Sequence, residues 1–268
     1  MARPLLNAQS GLPEIRGAKS TGLGGLGVSF QEPDGYLSNS SALGSLQEAA
    51  VSVHTQSRFA GTGIRAGSVQ AILPSGSNAA FGLNMEWYGL PEYLQQLLRF
   101  GYGRALSPGL TIGASIHYMS WYISQVEPAR KFGFDAGLTF KINRDLMFSW
   151  SSFNPFNPGK GAHHASPGTH LAGLTCTISK LVFLYAEWEK TDNRPWKTRV
   201  ALEYRIVPVL SLRMGVSTKP AGLGCGFGLQ LDPRMALDIS MAFHPALGVS
   251  PSLSLRYIFV PKENAKDK

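Results

Sequence analysis

Charge is scarce in this chain of 268 residues: Asp, Glu, Lys and Arg make up 16% of it, against about 25% in an average soluble domain. Long apolar runs are absent as well. No stretch approaches the roughly 18 apolar residues that a membrane helix needs, so any crossing of a bilayer falls to strands. Cysteine is limited to Cys176 and Cys225, which show no metal-ligand spacing and sit on apolar faces of separate predicted strands. They read as small core- or lipid-facing residues, not as a disulfide. Nothing resembles a linker, so the sequence offers no reason to divide the chain into globular units. The start of the chain also lacks the apolar core of a secretory signal. Leu5 to Ala8 reads as the tail end of a signal peptide, with the mature chain starting near Gln9.

The net charge of +8 is scattered along the chain. Lys262, Lys266 and Lys268 are interleaved with Glu263 and Asp267, the pattern of a solvated tail, and no nucleic-acid partner is expected. What the chain has in quantity is glycine, 30 residues, and alternation. Val182, Leu184, Ala186 and Trp188 alternate with Phe183, Tyr185, Glu187 and Glu189. Val200, Leu202, Tyr204 and Ile206 alternate with Arg199, Ala201, Glu203 and Arg205, and Leu212, Met214 and Val216 with Ser211, Arg213 and Gly215. Leu237, Ile239, Met241 and Phe243 likewise face away from Asp238 and Ser240. A period of two means β-strand.

The charges all fall opposite the aliphatic face. In an outer-membrane barrel the aliphatic face meets lipid, and Glu187, Glu189, Arg199, Glu203, Arg205, Arg213 and Asp238 line the lumen. A soluble sandwich would turn the same pattern inside out. Strand number decides between them. Strands are predicted at 49–60, 64–73, 78–88, 93–106, 110–122, 131–142, 145–153, 169–178, 181–190, 196–206, 209–217, 222–230, 235–244 and 251–260. That makes about fourteen, an even number as single-chain bacterial barrels require. The connections sort by parity. Pro74 to Ser77, Ser107-Pro108, Asn143-Arg144, Ser179-Lys180, Val207-Pro208 and Asp232-Pro233 are tight. Gly89 to Glu92, Ile123 to Arg130, Asn154 to Gly168, Thr191 to Pro195, Thr218 to Ala221 and Pro245 to Ser250 are looser. Short periplasmic turns and longer extracellular loops are the barrel signature, which puts both termini in the periplasm. Trp87, Tyr88, Tyr93, Tyr118, Trp121, Tyr122, Trp150, Phe153, Phe156, Trp188 and Trp196 cluster near the looser connections, as an interfacial girdle would.

The fold class expected is therefore all-β: an antiparallel transmembrane barrel of about fourteen strands over 48–260. A Gly/Ser-rich N-terminal segment, 1–47, precedes it as a lumenal or periplasmic plug, and a charged tail, 261–268, follows. The glycines of the first segment, Gly22, Gly24, Gly25 and Gly27, are no dinucleotide fingerprint, because Glu32 to Gly35 ends any helix at once.

This Gly-Leu-Gly-Gly-x-Gly-Val-Ser stretch, followed by the acidic turn Glu32 to Asp34, resembles the N-terminal motif of FadL-like outer-membrane barrels, above all PorV/PorQ-type proteins of Bacteroidota. In that family the motif precedes an Asn-Pro-Ala element, where Ser40-Ser41-Ala42 stands here. The resemblance implies a non-enzymatic outer-membrane subunit of a type IX secretion or surface-assembly complex. Its partners would be other envelope proteins and the lipid bilayer. The alternative is a FadL-like passive transporter of hydrophobic molecules, with a hydrophobic ligand, an apolar pocket near the N-terminal segment and a lateral gap in the wall.

Catalysis would need converging nucleophile, base and acid, and no acid or Asn is evident to orient His117. No cofactor is expected. His163-His164, in the longest loop, reads as solvated rather than metal-binding. Phe153, Asn154, Phe156, His163 and His164 are the candidate partner surface. The mixed signs of the lumenal charges suit cross-strand pairing inside a plugged barrel better than a permeation path.

Overall fold

In the computed structural model, which describes residues 15–156, 167–192 and 194–259, a short helix and two 3₁₀ turns precede fourteen strands. They are α1 (Gly17–Gly22) and turns at Pro33–Leu37 and Ser40–Ser45. The strands are β1 (Ala49–Ser57), β2 (Arg65–Pro74), β3 (Ala79–Leu90), β4 (Tyr93–Ser107), β5 (Leu110–Ile123), β6 (Val126–Lys141) and β7 (Leu146–Phe153). They continue as β8 (Thr169–Thr177), β9 (Val182–Thr191), β10 (Lys197–Val207), β11 (Leu210–Ser217), β12 (Gly222–Asp232), β13 (Met235–His244) and β14 (Gly248–Phe259). Each strand pairs antiparallel with its neighbours in sequence, and β14 closes on β1 from Ala49↔Phe259 to Gln56↔Ser252. Closure leaves no open sheet edge, the condition for placing backbone amides in hydrocarbon.

Strand pleating then sets the faces. On β10, Arg199, Ala201 and Glu203 are buried while Val200, Leu202 and Tyr204 are exposed. The outer wall carries Leu212, Met214, Val216, Ile239, Leu253 and Leu255 exposed. This is the apolar band of a transmembrane barrel. Cys225 lies on the outside, opposite Met214 and Met241, and Cys176 lies opposite Leu146 and Leu184; both are free. Met214 is 57% exposed on that wall. In lipid, Met214→Arg should cost about 2–4 kcal/mol near the midplane, whereas on a soluble surface it would be nearly neutral. Reversible folding into vesicles distinguishes the two, and a cost below about 0.5 kcal/mol would sink the membrane assignment.

Three expectations are corrected. The connection expected at Ile123 to Arg130 shrinks to Ser124 and Gln125, because β6 begins at Val126. Gly89 to Glu92 shrinks to 91–92, and Pro245 to Ser250 to 245–247. The two ends of the barrel therefore differ less in loop length than the parity argument held. β6 and β14 each carry a proline near their start, Pro128 and Pro251, which cannot donate to a ladder, and each lies where its strand has one partner only. β6 pairs with β7 only from Asp135 onward, and β14 pairs with β1 only from Ser252 onward.

The girdle is also divided. Trp121 and Phe153 are 6% and 3% exposed, packed inside the barrel with Leu97 and Met119 and flanked by Tyr93. Trp121 shares the inner face with Ser115, His117 and Met119. Its neighbour Tyr122 is exposed, so a Trp-Tyr pair gives no local sign of which ring points in. Finally, His117 does have an acid beside it: Nδ1 lies 3.1 Å from Asp135 Oδ1. The two residues are 18 apart in sequence but sit close to a shared rung of the β5–β6 hairpin, where Ser115 faces Asp135 and His117 faces Gly133.

Candidate functional site

Residues 15–47 run through the lumen and fill it. The upper rim is taken here as the end bearing the β1–β2 connection, and the lower rim as the end where β1 starts. Arg16 lies high in the lumen, α1 packs against β11–β14 and β1, and the second 3₁₀ turn packs against β3–β6. Leu23, Leu26 and Phe30 bury against Tyr185 and Ala201 of the wall. Lower down, Tyr36 and Leu43 bury against Ala50, Ile72 and Ala80. Each such side chain contributes roughly 1.5–3 kcal/mol on burial.

The four glycines of the motif sit where this segment meets the wall. Gly24 and Gly25 have positive φ of 72° and 88°, a backbone that side chains disfavour. A Cβ on Gly22 would lie 3.3 Å from Ser240, and one on Gly27 2.7 Å from Ser38 Oγ. The wall answers with glycines of its own, Gly215 and Gly224, against Leu23, Thr21 and Gly24.

Polar attachment centres on Glu187, 1% exposed. Its Oε2 accepts from the backbone N–H groups of Gly27 and Val28 at 2.8 and 2.9 Å. Its Oε1 accepts from Arg16 and Arg199 at 2.9 and 2.7 Å, and both guanidinium groups also reach Glu189, at 3.3 and 2.6 Å. A second cluster joins Lys19 to Glu32 at 2.6 Å and to Glu203 at 3.2 Å, with Arg213 bridging Glu203 and Asp238. Burial alone would lower the Lys19 pKa, but Glu32 and Glu203 beside it more than offset this, so the ammonium stays charged. Arg205 bonds Glu203 at 3.1 Å and covers the ring of Phe183, but its side chain is half-exposed near the lower rim. All seven charges expected in the lumen lie on the inner face of their strands. Glu187, Glu189 and Glu203 bond Arg16 or Lys19 of the N-terminal segment, Arg199 shares the first two carboxylates with Arg16, and Arg205, Arg213 and Asp238 extend the Lys19 cluster through Glu203.

Sequence reasoning missed Asn39. Its Oδ1 accepts from Ser41 N, and its Nδ2 donates to Val28 O at 2.9 Å, tying the glycine-rich stretch to the following turn. The signal was an Asn one position before Ser40-Ser41-Ala42. Asp34 was also missed: it accepts from Arg256 and Gln70 at 3.3 Å and lies 3.6 Å from His54, whose Nδ1 is 2.7 Å from Ser254 Oγ. Ser254, His54 and Asp34 have the order of a hydrolytic triad. All three are buried beneath α1, and Ser254 Oγ already accepts from Ala18 N–H, so the arrangement fastens the segment.

Of the expected partner surface, Phe156 is 81% exposed, and Asn154 holds a positive φ of 51° where the chain leaves β7. His163 and His164 lie outside the described residues. Phe153 is turned away from that surface, its ring stacked on His117 at 4.5 Å, because it takes the inner phase of β7 with Ser149 and Ser151. Above the segment a cavity of about 450 Å³ opens at the upper rim, with Arg16, Gly24 and Gly25 in its floor.

No family model matches the chain, and no curated protein matches it in sequence. Solved structures do match in shape. The monoaromatic hydrocarbon channel CymD superposes with a TM-score of 0.71 at 14% identity, over 91% of this chain and 97% of that one. The toluene transporter TbuX of Ralstonia pickettii gives 0.70 at 12%, over 91% and 98%. A FadL homologue of Pseudomonas aeruginosa gives 0.66 at 12%, also over 91% and 98%. The chain has the FadL-type barrel fold.

Proposed function

We propose that this protein is a passive channel for small hydrophobic molecules in the bacterial outer membrane, with residues 15–47 as its stopper and the lower rim toward the periplasm. The observation that carries the reading is the apolar cluster of Leu97, Met119, Trp121 and Phe153 inside the barrel, where lumenal surface is ordinarily polar. Such a patch suits an apolar solute, with Phe153 also stacked on His117 and lying by the Arg99 guanidinium, both paired with Asp135. Beside it, β6 residues 126–134 pair with β5 and rise past the end of β7, so the wall steps down next to the cluster, where the reading expects a lateral exit. The shape neighbours that carry hydrocarbons add support. The channel is a conduit and not a catalyst. A role in a secretion complex, with contacts through Phe156 and its neighbours, has no comparable observation behind it.

Uptake of labelled toluene by cells expressing the protein should exceed that of control cells several-fold, and Trp121→Glu should abolish the excess by placing a charge in the apolar path. Equal uptake in all three strains would overturn the proposal. Stoichiometric recovery of other envelope proteins in a mild-detergent pull-down, without uptake, would restore the secretion reading.

A further inference from the structure

The apolar cluster has a polar margin, and His117 lies in it. Its side chain is fully buried, stacked on Phe153 at 4.5 Å, with Nδ1 3.1 Å from Asp135 Oδ1. The other ring nitrogen, Nε2, is buried without a hydrogen-bond partner. It rests against bare backbone: a Cβ on Gly133 would stand 2.1 Å from it. His117 and Gly133 share a rung of β5 and β6, and Gly133 lies two residues above Asp135, where the β6–β7 register begins. Asn154 N–H makes one more bond, to Phe134 O, and the chain then leaves the wall. The unpartnered edge of His117 is therefore at the step in the wall beside the cluster. A carboxylate facing one imidazole nitrogen fixes the proton there, so Nε2 presents a lone pair.

The margin offers acceptors elsewhere too. On β3, Glu86 stands opposite Leu97 in register and accepts from Asn84 Nδ2 at 2.6 Å, while Asn84 Oδ1 has no donor. The cation of this margin is already engaged. Arg99 bonds Asp135 at 3.2 Å and the carbonyls of Tyr36 and Leu37 at 3.3 and 3.1 Å. An anionic head would thus meet the carboxyl groups of Glu86 and Asp135 with no free cation to answer it. A hydrocarbon would leave Nε2 bare, and a buried acceptor without a donor forfeits its hydration for nothing. We infer that His117 is a specificity-determining residue of the apolar path: its Nε2 accepts a hydrogen bond from the hydroxyl of a small neutral phenol whose ring lies against the cluster. The inference rests on the channel reading and narrows its solute class. Packing alone would be served as well by phenylalanine, which also stacks on Phe153.

The test titrates the whole protein in detergent, by calorimetry against a detergent blank, with phenol, anisole and toluene. Anisole has the same ring and oxygen but no O–H to donate, and its extra methyl group adds apolar area, so apolar burial alone would favour it. Phenol should nevertheless bind roughly three- to tenfold more tightly than anisole, the span of one net hydrogen bond. His117→Phe should erase that advantage and leave toluene binding unchanged. Should the variant fail to fold, the phenol–anisole comparison in the unaltered protein decides alone. Absent phenol binding, equal binding of phenol and anisole, or a phenol preference that survives His117→Phe would each overturn the inference. Toluene uptake by cells keeps the two readings apart. Uptake without a phenol preference overturns the role of His117 and leaves the channel, whereas a phenol preference without uptake overturns the channel and leaves the site.

Discussion

Glu187→Ala should free the lumenal segment while the barrel stays closed. The carboxylate takes two backbone N–H groups and two guanidinium groups, and it is buried. Its removal leaves Gly27 and Val28 N–H without this acceptor and strips Arg16 and Arg199 of one shared anion, the other, Glu189, being partly exposed. Breaking a buried pair from one side costs about 3–5 kcal/mol, which corresponds to amide exchange in residues 17–30 roughly a hundred- to several-thousand-fold faster. The strands form their ladder without this residue's side chain, so their protection should not change. Planar-bilayer conductance should rise from closed to open levels in the same variant. Exchange over 17–30 equal to that of the unaltered protein would show that apolar packing of Leu23, Leu26 and Phe30 alone retains the segment. Glu189→Gln, with its partial exposure, should give a much smaller change.

The second large effect is steric. A Cβ on Gly224 would stand 2.2 Å from Thr21 O and 2.6 Å from Gly24 N, and one on Gly215 would stand 2.3 Å from Leu23 C. These neighbours are backbone, which cannot swing aside as a side chain can. Gly224→Ala and Gly215→Ala should each cost about 1–3 kcal/mol or more of segment docking, seen as new protease cleavage within residues 17–30. Gly109→Ala is the control, since the nearest atom to its Cβ would be Lys141 O at 3.7 Å. If Gly224→Ala resists proteolysis as Gly109→Ala does, the segment is not held in that close contact.

Both effects depend on partners that a local pattern does not reveal. The alternation on β9, β10, β11 and β13 placed the charges on one face because pleating is a property of neighbouring residues, and fourteen strands could be counted for the same reason. Residues 1–47 were legible as a glycine-rich lumenal or periplasmic segment, but not the partners that hold it. That Gly27 N–H meets Glu187, 160 residues away, is not written in either segment. The start of β6 was not legible either: residues 126–130 pair with β5 alone, and Pro128 is tolerated there because no second ladder meets it. The aromatics misled in another way. Trp121-Tyr122 offers a ring to each face, and only the register of β5 against β4 and β6 turns Trp121 inward to meet Phe153.

The sequence by itself determined the strand number, the inner and outer faces and an apolar exterior suited to lipid, because all three follow from a period of two repeated along the chain. Tertiary structure alone decided how residues 15–47 sit in the lumen, that Glu187 fastens them there, that an apolar cluster forms on one side of the lumen and that cations from separate connections converge above it. Those features arise when β14 closes on β1 and encloses a space. Contacts across that space join residues far apart in the chain, and no spacing along the sequence encodes them.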